Sequence, residues 1–273
     1  MIRMEVGSQF LQISGSTVLI TGATGGLGQA IARRLSALGA TLVLTGRRVD
    51  VLESLAADLG ARGLVADLSL ADEVDRVAAE SGEVDILIAN AGLPASGTLD
   101  SFSLEEIDRA LDVNLRAPIV LARELAPRMV TRRRGHLLFM SSLAGKAATP
   151  RASLYNATKF GLRGFAGALR SDLRGTGVGV SAIFPGFISE SGMYADAEVK
   201  LPLGIGTRSP EDVAGAVVDA IERNRGEVDV APFPLRAGTL FASVAPELAA
   251  AVAKRLGSDD VSRKMADGQS DKR

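Results

Sequence analysis

Apolar residues in this chain cluster in seven short β-rich runs, separated by longer stretches in which they recur three or four positions apart. Thr17 to Thr21, Thr41 to Thr45, Gly63 to Ala66, Ile86 to Ala89, Leu137 to Met140, Val178 to Phe184 and Val228 to Val230 read as strands. The intervening stretches read as helices. Ala30, Ile31, Leu35 and Leu38 form the stripe after the first strand, and the longest helical pattern runs from Leu104 to about Thr131 with a bend near Pro118. Ser209-Pro-Glu-Asp212 has a hydroxyl cap, a proline at the first helical position and carboxylates at the positive end of the dipole, so a helix is expected from there to about Arg223. Alanine-rich sequence past Arg236 predicts one more helix. Strand and helix alternate as in a Rossmann-like, doubly wound α/β fold: a predominantly parallel seven-stranded sheet with helices on both faces, in a single domain.

Composition agrees with one domain. The chain has 273 residues, 47% of them hydrophobic, with 30 glycines, which suits a buried parallel sheet with many tight turns. Residues 1–14 read as an extension, 15–256 as the domain, 187–208 as a substrate lid and 257–273 as a polar, disordered tail. Lys plus Arg total 31 against 32 Asp plus Glu, which gives no electrostatic footprint for nucleic acid or a membrane surface. Cysteine is absent and His136 is the sole histidine, so a disulfide framework, a thiol nucleophile, a histidine triad and a zinc centre are all disfavoured, and no metal site is expected. His136 sits at the start of an apolar strand, where a structural role is expected. The amino terminus lacks signal-peptide character, and Leu240 to Ala253 is too short and interrupted to span a bilayer. A cytoplasmic protein is the expectation.

Two segments carry chemistry. Val18 to Gly28 runs from a strand into a turn with glycines at 22, 26 and 28 and then into a helix. Without side chains there, backbone can approach a pyrophosphate, whose charge meets the free N–H groups of the helix start. Tyr155 and Lys159 are four residues apart, which on a helix places phenol and ammonium on one face. A unit charge about 4 Å away is worth about 1 kcal/mol in water and about 4 kcal/mol at an effective dielectric of 20. One pKa unit is about 1.4 kcal/mol, so Lys159 is expected to lower the Tyr155 pKa by roughly one to three units.

With Thr21-Gly-Ala-Thr-Gly-Gly-Leu-Gly28, Asn90-Ala-Gly92, Asn114, Ser142, Tyr155, Lys159 and Pro185-Gly186 in this order, the chain resembles the short-chain dehydrogenase/reductase family in its compact single-domain branch. Ser142 lies thirteen residues before Tyr155, as the family pattern requires, which selects it over Ser141. The resemblance implies catalytic roles for Asn114, Ser142, Tyr155 and Lys159. Tyr155 would exchange a proton with a carbonyl or alcohol oxygen, and Ser142 would hold that oxygen. Lys159 would bind the nicotinamide ribose, and Asn114 would hold a water that links Lys159 to solvent. It also implies cofactor contacts from Gly22, Thr24, Gly26, Leu27, Gly28, Arg47, Asp67, Leu68, Asn90, Gly92, Tyr155, Lys159, Pro185, Gly186 and Ile188.

The expected activity is an NADP-dependent oxidoreductase acting on a carbonyl or secondary alcohol. Gly46 stands where NAD-preferring relatives place a carboxylate against the adenosine ribose, with Arg47 next, so NADP(H) is favoured over NAD(H). Asp67 resembles the residue that bonds the adenine, and its other reading is a cap on the turn at Ser69. Glu190 occupies a position where the family often has threonine. In the lid, Phe187, Met193, Tyr194 and Leu201 favour an apolar substrate. The small residues Ala157, Gly161, Gly164 and Ala168 permit close packing of the Tyr155 helix, and the resemblance implies a homodimer or homotetramer. The alternative function is a catalytically silent dinucleotide-binding regulator or scaffold, which the presence of both Tyr155 and Lys159 disfavours. Epimerases and dehydratases that share the pair generally carry GxxGxxG and a separate substrate domain.

Overall fold

The computed structural model describes residues 11–190, 206–255 and 258–269. Its centre is one sheet of β1 (Thr17–Thr21), β2 (Thr41–Gly46), β3 (Arg62–Val65), β4 (Ile86–Ala89), β5 (Gly135–Met140), β6 (Val178–Pro185) and β7 (Glu227–Val230). The spatial order is β3-β2-β1-β4-β5-β6-β7 and every pairing is parallel. The seven strands expected from the apolar runs are present, with ends shifted by one or two residues. Both faces are covered, which is why these strands are continuous apolar runs rather than alternating ones: all residues of β4, β5 and β6 are buried.

Successive side chains leave a strand on opposite faces, and so each strand serves two cores. Leu19, Leu87, Leu137, Phe139 and Phe184 belong to the core under α3 (Ala71–Glu80), α5 (Ala117–Thr131) and α6 (Ser153–Asp172), joined by Val74, Leu121, Met129 and Leu162. Val18, Ile20, Ile86, Ile88 and Leu138 belong to the other, under α1 (Gly26–Ala37), α2 (Val49–Leu59) and α7 (Pro210–Glu222). The predicted start of α7 is a full capping box: the Ser209 hydroxyl accepts from the Asp212 amide at 3.1 Å while the Asp212 carboxylate accepts from the Ser209 amide at 3.1 Å.

Four expectations need correction. The long helix from Leu104 is interrupted by a π-type turn over Asp112–Arg116, between α4 (Leu104–Leu111) and α5, so the bend precedes Pro118 and coincides with Asn114. The extension is shorter than expected, because Ile13 is 1% exposed in the second core and the Ser16 hydroxyl donates to the Gln12 carbonyl. The single late helix is two, α8 (Phe233–Val244) and α9 (Pro246–Arg255), divided where Pro246 cannot continue the first. The stretch read as a frayed tail contains α10 (Ser258–Asp267), and Ala266 and Gln269 are buried. Ser262, Ala266 and Gln269 recur at helical spacing, a face too small and polar to stand out as an apolar stripe. Of the proposed lid, the segment at 191–205, with Met193, Tyr194 and Leu201, lies outside the described residues. The base of that segment is joined across its two ends: the Arg208 amide donates to the Phe187 carbonyl at 3.0 Å and the Ser189 amide to the Arg208 carbonyl at 2.9 Å.

Candidate active site

The strand order reverses direction between β1 and β4, and at the carboxyl ends of the strands there opens a cavity of about 630 Å³. Every residue to which the family resemblance gave a catalytic or cofactor-contact role lines it, except Asn114, which is fully buried behind the wall. The glycine turn forms one side. A Cβ on Gly22 would lie 2.7 Å from the Ala91 Cα, and one on Gly28 would lie 2.2 Å from the Gly22 carbonyl oxygen, so these two glycines are required by the protein's own packing. Gly25, in contrast, meets only the Gly22 carbonyl, at 3.5 Å, and opens toward the cavity. Helix α1 starts there with no side-chain cap and no acidic residue in its first turn, leaving N–H groups and the positive dipole end for an anion. The fully buried Thr45 hydroxyl, also on the wall, has no hydrogen-bond partner among the described residues. A dinucleotide with its phosphates at α1 fits this set of donors.

Just after β3, Asp67 caps the turn at Ser69 and also lies on the cavity wall. Its Oδ1 accepts from the Ser69 amide at 3.0 Å and the Ser69 hydroxyl at 2.8 Å, which is the turn cap. Its Oδ2 lies 3.7 Å from Arg47 and 3.3 Å from Arg109, at the cavity wall. Partial burial raises its pKa, but the Ser69 hydrogen bonds and the two guanidinium groups outweigh that and hold the carboxyl below its ordinary range. Arg48, not anticipated from the sequence, donates to the Thr24 carbonyl. Thr24 in turn fills the space beside Gly46: a Cβ there would lie 2.8 Å from Thr24 Cγ2 and 2.9 Å from its Oγ1.

At the other end are the chemical groups. Lys159 is 3% exposed, and its Nζ donates to the Met140 carbonyl at 3.0 Å and lies 5.6 Å from the centre of the Tyr155 ring. Burial lowers its pKa to about 8. Burial also pushes the Tyr155 phenol up to about 12, against the pull of the neighbouring Ser142 hydroxyl. This corrects the expectation that the ammonium lowers the phenol: desolvation outweighs a charge that is farther than 4 Å from the ring centre and itself weakened by burial. The phenol therefore holds its proton at neutral pH. Ser142 and Ser141 both line the cavity; the Ser142 hydroxyl donates to the Pro185 carbonyl at 3.4 Å and the Ser141 hydroxyl to the Lys159 carbonyl at 3.1 Å.

Three asparagine amides set these positions. Asn90 Nδ2 donates to the Thr21 and Gly22 carbonyls at 3.0 and 3.3 Å, tying β4 to the glycine turn. Asn114 Oδ1 accepts from the Leu93 amide at 2.7 Å and its Nδ2 donates to the Leu93 carbonyl at 3.0 Å. Gly92 next to it leaves 3.5 Å to Asn114 Oδ1 and 3.7 Å to Lys159 Nζ from where a Cβ would stand. Asn156, given no role by the sequence reading, donates to the Ala144 and Ala147 carbonyls at 2.5 and 3.1 Å and accepts from the Thr149 amide at 3.2 Å, holding the loop after Ser142 against α6. Its place between Tyr155 and Lys159 was the available signal. His136 is structural: buried in β5, 2.8 Å from the Ser181 hydroxyl, and kept neutral by burial, which lowers its pKa to about 3. Glu190 lies off the cavity wall, whereas Leu235, Thr239, Ser262 and Gln269 from the carboxyl-terminal helices and the turn after α10 are on it. Among the described residues no helix is long and apolar enough to cross a membrane.

A family model described as short chain dehydrogenase matches residues 16–200. A ketoacyl reductase, HetN, from Nostoc sp. is 37% identical over 82% of this chain and 81% of its own length. A 3-oxoacyl-[acyl-carrier-protein] reductase, FabG, from Rickettsia bellii is 34% identical over 76% of this chain and 89% of its own. Among solved structures, a short-chain dehydrogenase from Sphingobium yanoikuyae in complex with NADPH superposes with a TM-score of 0.74 at 28% identity, covering 85% of this chain and 95% of that one. The closed form of a serine dehydrogenase complexed with NADP+ gives a TM-score of 0.72 at 30% identity, with 80% and 95% covered.

The burial of Lys159 has a measurable cost. Its folded pKa, about 8, lies below the ordinary 10.5, so the folded state resists protonation and the charge destabilises it most at and below pH 8. Lys159→Met should therefore raise the melting temperature of the cofactor-free protein at pH 7, by a few degrees for an effect on the order of 2 kcal/mol. The gain should shrink as pH rises from about 8 toward 10.5, where the wild-type lysine sheds its proton on folding. Melting curves that show a loss of stability at pH 7, or a gain independent of pH, would contradict this account of the buried ammonium.

Proposed function

This chain belongs to the short-chain dehydrogenase family and is thus an oxidoreductase by kinship; we propose that it is an NADP-dependent carbonyl reductase for substrates with an apolar body. The observation that carries this reading is the convergence of Tyr155, Ser142 and Lys159 with the glycine turn in one cavity. When bound, the nicotinamide supplies hydride for reduction of a carbonyl. Tyr155 gives its proton to the carbonyl oxygen, and Ser142 donates a hydrogen bond to the same atom and orients it. Lys159 binds the ribose hydroxyls with the ammonium that now points to the Met140 carbonyl. Asn114, whose Oδ1 retains a second lone pair, holds the water from which the phenol is reprotonated. At neutral pH the buried Tyr155 phenol carries its proton, the form that gives a proton to a carbonyl oxygen in the reductive direction. Leu93, Pro94, Val113, Ala144, Ala147 and Leu235 make the substrate half apolar. The names of the ketoacyl-reducing relatives support an oxo-acyl type of ketone. The silent-scaffold alternative has no observation in its favour.

NADP is supported by the absence of a carboxylate at Gly46, by Arg47 and Arg48 on the wall beside it, and by the NADPH- and NADP+-bound structural neighbours. A homo-oligomer built on α6 is supported by its exposed face, where Ala157, Phe160, Gly161, Gly164 and Ala168 are turned outward rather than packed on their own sheet. A cytoplasmic location remains part of this proposal.

Replacing the proton donor tests the central claim. Tyr155→Phe should lower kcat by about 10² to 10⁴ and leave cofactor affinity within a few fold; a variant that keeps more than about a tenth of the wild-type rate would remove Tyr155 from this role. For the cofactor, hydrogen bonds to charge imply roughly a 10- to 150-fold preference for NADP in kcat/KM. Gly46→Asp alone should weaken both cofactors, since its Cβ collides with Thr24, whereas Gly46→Asp with Thr24→Ala should turn the preference toward NAD. Equal use of both cofactors by the wild type would refute the assignment. Sedimentation at micromolar concentration should show a dimer or tetramer, and a monomer alone would end the oligomer proposal.

A further inference from the structure

The cavity's cations are not equivalent. Arg47 is 3.7 Å from the Asp67 carboxylate, Arg48 donates to the Thr24 carbonyl, and Lys159 donates to the Met140 carbonyl. Arg151 also lines the cavity and is exposed to it, yet makes no hydrogen bond or ion pair through its side chain among the described residues. It lies four residues before Tyr155, in the wall formed by the loop after Ser142, away from the glycine turn that receives the phosphates.

The backbone holds it there at a cost. Arg151 has φ of 56°, a left-handed conformation that strains a residue with a Cβ. Its carbonyl accepts from the Gly97 amide at 2.7 Å, which joins the Ala147–Ala152 wall to the Leu93–Gly97 wall. Strain fixed by a hydrogen bond across the two walls positions the base of this side chain, and Pro94, Ala147, Pro150 and Ala152 on those walls carry no counter-charge. Asp67, the one acidic residue on the cavity wall among those described, is at the opposite, cofactor end.

We propose that Arg151 is a specificity residue that recognises an anionic group, a carboxylate or a phosphate, on the substrate whose carbonyl Tyr155 protonates. This rests on the carbonyl-reductase reading above and adds to it the class of substrate: an apolar oxo compound that carries a negative charge remote from the reacting carbonyl. Guanidinium pairs with either anion in a bidentate fork, and in a cavity with apolar walls the pair is worth more than in open solvent. A free oxo acid and an oxoacyl thioester of phosphopantetheine would both present such a group.

Two matched pairs of compounds separate these sources: medium-chain oxo-carboxylates against their methyl esters, and an oxoacyl phosphopantetheine thioester against its dephosphorylated form. The wild type should prefer the charged member of at least one pair by about 10- to 150-fold in kcat/KM, mainly through KM. Arg151→Gln should abolish that preference, Arg151→Glu should reverse it, and Arg151→Lys should restore part of it. The neutral members should be reduced at unchanged rates by all variants, which also shows that they fold. Wild-type indifference to charge in both pairs, or an equal loss on charged and neutral members in Arg151→Gln, would overturn the proposal. Calorimetric binding of the corresponding hydroxy acid and its methyl ester to cofactor-loaded protein keeps the two readings apart. Binding that depends on charge and on Arg151 without turnover would refute the reductase reading alone, and binding indifferent to both would refute the role of Arg151 alone.

Discussion

The arrangement of the site depends on placing an ammonium group where water scarcely reaches. Lys159 is almost fully buried, and among the described residues its ammonium donates one hydrogen bond, to the carbonyl of Met140 at the end of β5. An ammonium in such surroundings loses hydration worth several kcal/mol before any partner repays it. The fold tolerates this because the carboxyl ends of β4 and β5 and the start of α6 converge there, offering backbone carbonyls that a strand in mid-sheet would have used for pairing. The same desolvation acts on Tyr155 in the opposite sense, so one environment keeps the phenol protonated and makes the lysine the easier of the two to neutralise.

Holding these groups in register falls to side-chain amides. Asn90, Asn114 and Asn156 each bond to backbone groups of a loop that has no ladder of its own: the glycine turn, the segment after β4, and the loop after Ser142. An amide offers both donor and acceptor without a charge, so it satisfies loop backbone in a buried place at no Born cost. The π-type turn at Asp112–Arg116 belongs to this scheme, because it sits where Asn114 reaches Leu93 from the middle of an otherwise continuous helix. The charged network of Lys146 with Glu227 and Asp229, at 2.8 and 2.6 Å, ties the same loop to β7 at the more exposed margin.

The cavity thus has two ends of different chemistry. At the glycine turn, cations are paired with protein groups and helix α1 presents free N–H donors, a surface suited to phosphate. At the opposite end the wall is largely apolar and formed partly by helices that follow the sheet, through Leu235, Thr239 and Ser262. In the proposed function the chemistry belongs to the junction between them, where Ser142, Tyr155 and Lys159 meet, and the substrate's identity to the far wall.

The sequence by itself determined the sheet, its strands and the glycine turn and Tyr155–Lys159 pair that line part of the cleft. Buried parallel strands must be apolar on both faces, and a phosphate-binding turn must be glycine-rich, so both leave local patterns in Val18 to Gly28 and in the other strand runs. Spacing along one helix likewise brought Tyr155 and Lys159 together. Tertiary structure alone decided what contact and burial decide. It showed that Ile13 is core, that a polar-looking face of α10 closes over the cavity, and that Thr24 occupies the space beside Gly46. It also reversed the expected shift of Tyr155, because a pKa depends on how much water surrounds the group, and four-residue spacing fixes the distance to a charge but not the dielectric around it.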